Sequence, residues 1–82
     1  MHTVDLLEEA LILAEKNGFL VRRQWLAEGL GGMCRIGEQR VLFVNLAESS
    51  EEQLDRTLKA LRSVDLSLED PNLSDSLKRL LA

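Results

Sequence analysis

The sequence predicts an α+β fold in which a helix, three strands, a second helix and a short C-terminal helix follow one another in a single domain, residues 1–82. Two segments with apolar residues at helical spacing flank a central region in which apolar and polar residues alternate as in strands. The chain has 82 residues, 45% of them hydrophobic, which suffices for one small core and not for two. We expect a three-stranded, mostly antiparallel sheet with the two long helices on one face.

The first helix is predicted over residues 4–16. Its apolar side chains cover about half of the helical wheel and charged side chains the rest, which is typical of a helix packed on one side. Thr3 is expected to cap its start, and Asn17 with Gly18 to end it. Ile12 projects from the middle of the charged face. Most single exposed isoleucines have no role, and the alternative is that Ile12 belongs to an interface.

The three strands are predicted over residues 19–26, 33–36 and 40–46. The first alternates, with a mostly buried side that includes Trp25. Glycines at 29, 31 and 32 break the pattern before the second strand, and a tight turn then favours a hairpin into the third. The third strand is apolar on both faces and therefore belongs at the centre of a sheet.

The second long helix is predicted over residues 50–64. Ser49 with Glu52, or Ser50 with Gln53, forms a capping box at its start. Leucines at helical spacing form its buried stripe, and oppositely charged pairs four residues apart line its exposed side.

The C-terminal segment is predicted to form a short helix, with Asp70 as its cap and Pro71 at its first position. Helices on one face of a three-stranded sheet leave the other face open. We expect either this C-terminal helix or a second copy of the chain to cover that face. The residues expected to need this cover are Leu20, Leu26, Leu42, Val44 and Leu46.

Composition excludes several classes of function. The chain has 14 acidic against 10 basic residues, a net charge of −4, which argues against nucleic-acid binding. No stretch is apolar enough to span a membrane, and the N-terminus lacks the basic region of a signal peptide. One cysteine and one histidine cannot build a zinc site within one chain, and an unpaired cysteine fits a reducing cytoplasm. We expect a cytoplasmic protein without metal or cofactor.

Arginines dominate the charge of the predicted strands. Arg22, Arg23 and Arg35, with Trp25 and the neighbouring Arg40, are candidates for one basic, partly aromatic interaction surface. Arginine and tryptophan are the residue types that contribute most to protein–protein binding. The alternative is that Trp25 belongs to the core and the arginines form a solvated face that limits edge pairing.

Cys34 is the one candidate nucleophile, and the favoured alternative is that it is a core residue, since free cysteines are mostly buried. It follows the Gly29–Gly32 turn, but Arg35 points to the opposite face of the strand, and the histidine that could serve as base is His2 at the N-terminus. The glycine turn leads into a strand, whereas phosphate loops lead into a helix. Acidic pairs lie on solvent faces, where they favour helix capping over acid–base chemistry. No catalytic residue is predicted.

Residues 15–61 resemble the amino-terminal core of ImmA/IrrE-type zinc peptidases. The matching pieces are Gly18, Gly29-Leu30-Gly31, the strand Val41 to Asn45, and Gln53 with Thr57-Leu58. The resemblance implies the order helix, three strands, helix, which short bacterial proteins of other kinds also share. The histidine, glutamate and histidine of the family's zinc motif would fall at positions that here hold Ala60, Leu61 and Val64. No metal ligand or general base carries over, so peptidase activity is not implied.

Two functions are consistent with these observations. The first is a non-enzymatic domain that acts through a protein partner or a second copy of itself. The alternative is a thiol-dependent or small-ligand-binding protein that uses Cys34 beside the Gly29–Gly32 turn.

Overall fold

The α+β class and the predicted order of elements are confirmed. The computed structural model describes residues 2–66 and 68–82, so that Met1 and Ser67 lie outside the described residues. The helices are α1 (Thr3–Lys16), α2 (Ser50–Arg62) and α3 (Asp75–Leu81), and the strands are β1 (Phe19–Gln24), β2 (Gly32–Ile36) and β3 (Gln39–Asn45).

The sheet is mixed, so the prediction of a mostly antiparallel sheet is wrong in its pairing. The strand order is β1-β3-β2; β3 is antiparallel to β2 and parallel to β1. A two-residue turn at Gly37-Glu38 fixes the β2–β3 hairpin. The connection of residues 25–31 is long enough to pass over two strand spacings, about 10 Å, so β3 lies between β1 and β2. The central position of β3 confirms the prediction from its two apolar faces.

The ends of α1 and α2 are set by local hydrogen bonds. Asn17 and Gly18 end α1 as predicted, with Gly18 at a φ of +88°. The prediction of Thr3 as cap is wrong, because the helix starts at Thr3 and His2 occupies the cap position. Of the two capping boxes considered for α2, the Ser49–Glu52 pair is the one that forms.

The C-terminal helix starts later than predicted. Ser74 caps it and accepts from the N–H of Leu77, whereas Asp70 accepts from the N–H of Asn72 in a turn that precedes the helix. Glu9 of α1 accepts from both the N–H and the hydroxyl of Ser74, which fastens α3 to α1.

The core lies between the helices and one face of the sheet. The helices α1 and α2 pack on Leu42 and Val44 of β3 and on Phe19 of β1. Leu77 of α3 is fully buried in the same core. The expectation that Leu42 and Val44 need further cover is therefore wrong. α3 packs on α1 and α2 and not across the sheet. None of the described helices is long and apolar enough to cross a membrane.

Candidate interaction surface

The sheet face opposite the helices is the strongest candidate site among the described residues. Side chains paired across neighbouring strands point to the same face. Leu20, Val41 and Cys34 therefore form one row, and Arg22 with Phe43 lies in the next row beside Gly32. We call this surface the uncovered face and define it by Leu20, Arg22, Cys34, Ile36, Val41 and Phe43.

The uncovered face is apolar at its centre. Val41 is only 2% exposed because its neighbours on β1, β2 and β3 surround it. At the two edge strands the exposure rises to 42% at Leu20 and 63% at Ile36. A contiguous apolar surface of this kind gains free energy when a second surface removes it from water.

At the end of the sheet where β2 begins, this face opens into a hollow of about 310 Å³. Apolar side chains and glycines form most of its wall, which suits an apolar side chain or small molecule. The hollow is lined by Leu26, Leu30, Gly31, Gly32, Met33, Cys34 and Phe43.

Asn45 holds the loop that frames the hollow. Its side chain is fully buried at the end of β3. Its Oδ1 accepts from the N–H groups of Leu26 (3.1 Å) and Ala47 (3.0 Å), and its Nδ2 donates to the carbonyl oxygens of Ala27 (3.1 Å) and Leu30 (2.9 Å). One amide thus satisfies four backbone groups that a loop would otherwise leave unpaired.

An ion pair supports the same loop from the α2 side. The Nε of Arg56 lies 2.8 Å from both carboxylate oxygens of Glu48, whose side chain is 5% exposed. The Glu48 carboxylate raises the pKa of Arg56. Gly31 lies against this pair, and a Cβ there would meet Arg56 Cδ and Glu48 Oε1, each at 3.3 Å.

The predicted arginine surface is divided between the two faces of the sheet. Arg22 lies on the uncovered face, next to Phe43. Arg23 points to the helix side, where it pairs with Glu8 at 3.1 Å. Arg35 and Arg40 are paired with each other in a row on the helix side. The single basic surface is therefore wrong, because neighbouring residues in a strand alternate between faces.

Trp25 and Ile12 are the two other residues that the sequence analysis considers for an interaction surface, and both are exposed. Trp25 is 75% exposed, so its assignment to a buried strand face is wrong; β1 ends at Gln24, one residue before it. Ile12 is 52% exposed on α1, in the helix layer and away from the uncovered face.

Cys34 is half-buried and lines the hollow. Of the residues on this face, Cys34 and Arg22 are among those predicted as site candidates from the sequence, whereas Phe43 and Ile36 are not. The position of Phe43 on the face opposite the core could have been predicted, since Phe43 alternates along β3 with the buried Leu42 and Val44.

The strands and α1 differ in charge. The strand residues include the four arginines and no acidic residue, whereas α1 carries Asp5, Glu8, Glu9 and Glu15. Within the uncovered face, Arg22 is the one charged side chain. The face is therefore mostly apolar, with Gln39 beside Ile36 and a single charge on an edge strand. Depletion of charged residues is typical of the centre of a protein–protein interface.

The described residues contain no group of three or more His, Cys, Asp or Glu side chains that could hold a metal ion.

No family model, curated protein or solved structure matches this chain. The resemblance to ImmA/IrrE-type peptidases stays a prediction.

Proposed function

We propose that this protein is a non-catalytic interaction domain that self-associates through the uncovered face. The observation that carries the proposal is the apolar row Leu20–Val41–Cys34 across all three strands, with Val41 at its centre and Leu20 exposed at one edge; Ile36, two residues after Cys34 on β2, is exposed on the same face. A two-layer fold with one open apolar sheet face becomes a four-layer structure when two copies pack sheet to sheet.

The charge of the uncovered face favours a second copy over a strongly charged partner. Arg22 is the one charged side chain on the face, and it lies on the edge strand β1. When two sheets pack about 10 Å apart with their β1 strands on opposite sides, the two Arg22 positions are roughly 14 Å apart. That separation exceeds the Debye length of about 8 Å at physiological salt, so their repulsion is weak.

The size of the face sets the strength of this association. Three strands about 4.8 Å apart and roughly six residues long give a face of about 14 by 20 Å, or roughly 300 Å² in plan. Stable interfaces bury about 800 Å² per partner. The sheet face alone is too small for a tight dimer, so we propose a reversible one that also uses the loop around the hollow.

Two isoleucines provide a matched test. Ile36 on the uncovered face is 63% exposed, and Ile12 on α1 is 52% exposed. In sedimentation over a range of micromolar concentrations, we expect the wild type and Ile12→Glu to associate to the same degree and Ile36→Glu to stay monomeric. A wild type that is monomeric throughout, or equal effects of the two substitutions, would contradict the proposal.

The hollow favours one second candidate function, the binding of a small apolar ligand next to the Cys34 thiol. Its volume of about 310 Å³ is at the lower end of the range of ligand pockets. A small thiol reagent tests this alternative on the monomeric Ile36→Glu variant. Rapid modification of Cys34 at neutral pH, slowed by an apolar ligand, would favour it; reaction only after denaturation would exclude it.

A further inference from the structure

The apolar hollow and the one charged side chain of the uncovered face share a row of the sheet. In that row Phe43 of the central strand lies between Arg22 on β1 and Gly32 on β2. Phe43 and Gly32 both line the hollow. Gly32 has no side chain, and a Cβ built there would meet nothing within 4 Å. Phe43 therefore has open space on one side and an arginine on the other.

Arg22 is available to a ligand bound in this space. It is exposed, and within residues 2–66 and 68–82 it forms no ion pair, whereas the neighbouring Arg23 pairs with Glu8. Neighbouring strands are about 4.8 Å apart, a distance that a long side chain spans, so Arg22 can reach the edge of the hollow beyond Phe43. None of the residues that line the hollow is charged. Glu28 of the same loop lines a different depression, beside Glu48.

We propose that the hollow binds a small molecule with an apolar body and a carboxylate, the body lying in the hollow and the carboxylate on Arg22. This inference rests on the second candidate function, the binding of a ligand in the hollow, and is independent of self-association. It specifies the chemical class of that ligand, which the apolar wall alone leaves open.

Each part of the site selects one part of such a ligand. The wall offers Leu26, Leu30 and Phe43, which favour hydrocarbon over polar groups. The planar guanidinium of an arginine presents paired N–H donors that match the two oxygens of a carboxylate, and these charge-assisted bonds are stronger than neutral ones. Arg22 would repel a cationic ligand, and a neutral ligand would leave the guanidinium without a partner.

The volume of the hollow sets the size of the ligand. At about 30 Å³ for each water-sized group, about 310 Å³ holds roughly ten non-hydrogen atoms. Octanoate has this size and joins a straight hydrocarbon chain to a carboxylate. Ligands this small bind weakly in open sites, so we expect a Kd on the order of 1 mM.

A pair of probes separates the charge from the apolar body. Octan-1-ol has the same chain length as octanoate and a neutral head group. Ligand-observed NMR titrations measure the affinity of each probe at a protein concentration below the self-association transition. We expect the wild type to bind octanoate roughly tenfold more tightly than octan-1-ol. We expect Arg22→Gln to remove this preference and to leave the affinity for octan-1-ol unchanged.

Two further variants locate the two parts of the ligand. Arg23→Gln is the matched control, because Arg23 is the next residue and points to the helix side, where it pairs with Glu8. It should keep the wild-type preference for octanoate. Leu30 lines the hollow and is 55% exposed, so Leu30→Asn should fold and bind both probes several-fold more weakly. Circular dichroism checks that each variant is folded.

Each way in which the inference can fail has its own result. Equal affinity of the wild type for the two probes, or equal effects of Arg22→Gln and Arg23→Gln, would overturn the carboxylate class and leave a site for neutral apolar ligands. Binding that Leu30→Asn does not weaken would lie outside the hollow and overturn the inference. If neither probe binds at millimolar concentration, the inference and the second candidate function both fail, whereas self-association is tested separately by sedimentation.

Discussion

The side-chain nitrogen of Asn45 donates to the carbonyl oxygen of Leu30 at 2.9 Å, joining the end of the central strand to the loop that frames the hollow. Leu30 is 55% exposed, yet its backbone is fixed by a residue that is fully buried. The surface that we propose for association is thus positioned from the inside of the fold.

Replacing Asn45 should destabilise the fold and loosen this loop. In Asn45→Ala the N–H of Leu26 and the carbonyl oxygens of Ala27 and Leu30 lose a buried partner, and we expect a loss of about 2–4 kcal/mol in unfolding free energy. Urea titration measures it. Gln39→Ala, which removes the bonds of an exposed amide, is the control and should cost less than about 1 kcal/mol. Equal losses would contradict the role of Asn45.

Two glycines of the same loop should respond differently to alanine. Gly29 and Gly31 both have positive φ, at +81° and +132°. A Cβ at Gly29 meets nothing within 4 Å, whereas at Gly31 it lies 3.3 Å from Arg56 Cδ. We expect Gly29→Ala to cost about 1 kcal/mol and Gly31→Ala about 2–3 kcal/mol in thermal or urea unfolding. A larger loss for Gly29→Ala would show that the contact with Arg56 is unimportant.

The C-terminal helix should contribute to stability and not to association. Leu77 is fully buried and Leu80 is 37% exposed. We expect Leu77→Ala to lower the unfolding free energy by about 2–5 kcal/mol and Leu80→Ala by less than about 1 kcal/mol. Under conditions where both variants are folded, sedimentation should give wild-type dimer affinity. A weaker dimer in either variant would indicate that α3 lies in the interface.

The capping box of α2 should make stability depend on acidic pH. The N–H of Ser49, followed by its hydroxyl, holds the pKa of Glu52 below its ordinary value of 4.5. Because the folded pKa is the lower one, this stabilisation is fully present above pH 4.5 and is lost as pH falls through the folded value. We expect the Tm of Glu52→Gln to be lower than that of the wild type at neutral pH, and the difference to shrink as the pH falls below 4.5. A difference that is constant with pH would contradict this assignment.

Much of the fold could be predicted from the sequence because it depends on local patterns. The helical spacing of leucines, the Ser49–Glu52 box and the two-sided apolar character of β3 each point to one structure. The parallel pairing of β1 and β3 could not be predicted in this way, since it depends on which strand the 25–31 connection passes over. The sequence of residues 25–31 contains no pattern that indicates which strand the connection passes over.

The candidate site was only partly predictable, for a related reason. Its members come from three strands and a loop, and their proximity follows from sheet order and register. Trp25 was expected in the core because alternation continues through it in the sequence. The bonds that Asn45 makes to Leu26 and Ala27 draw the chain into the loop just beyond this point. Such long-range bonds are not visible in a periodic pattern.

Small-angle X-ray scattering at increasing concentration tests most directly whether two copies pack through the uncovered face. The monomer has a radius of gyration of 12.1 Å and extents of 35 × 31 × 16 Å. Two sheets packed about 10 Å apart place the two centres about 20 Å apart and give a dimer radius of gyration of about 16 Å. Edge-to-edge strand pairing would separate the centres by the longer extents and give about 20 Å. We predict a rise from about 12 Å to about 16 Å. A value that stays at 12.1 Å, or that rises to about 20 Å, would contradict association through this face.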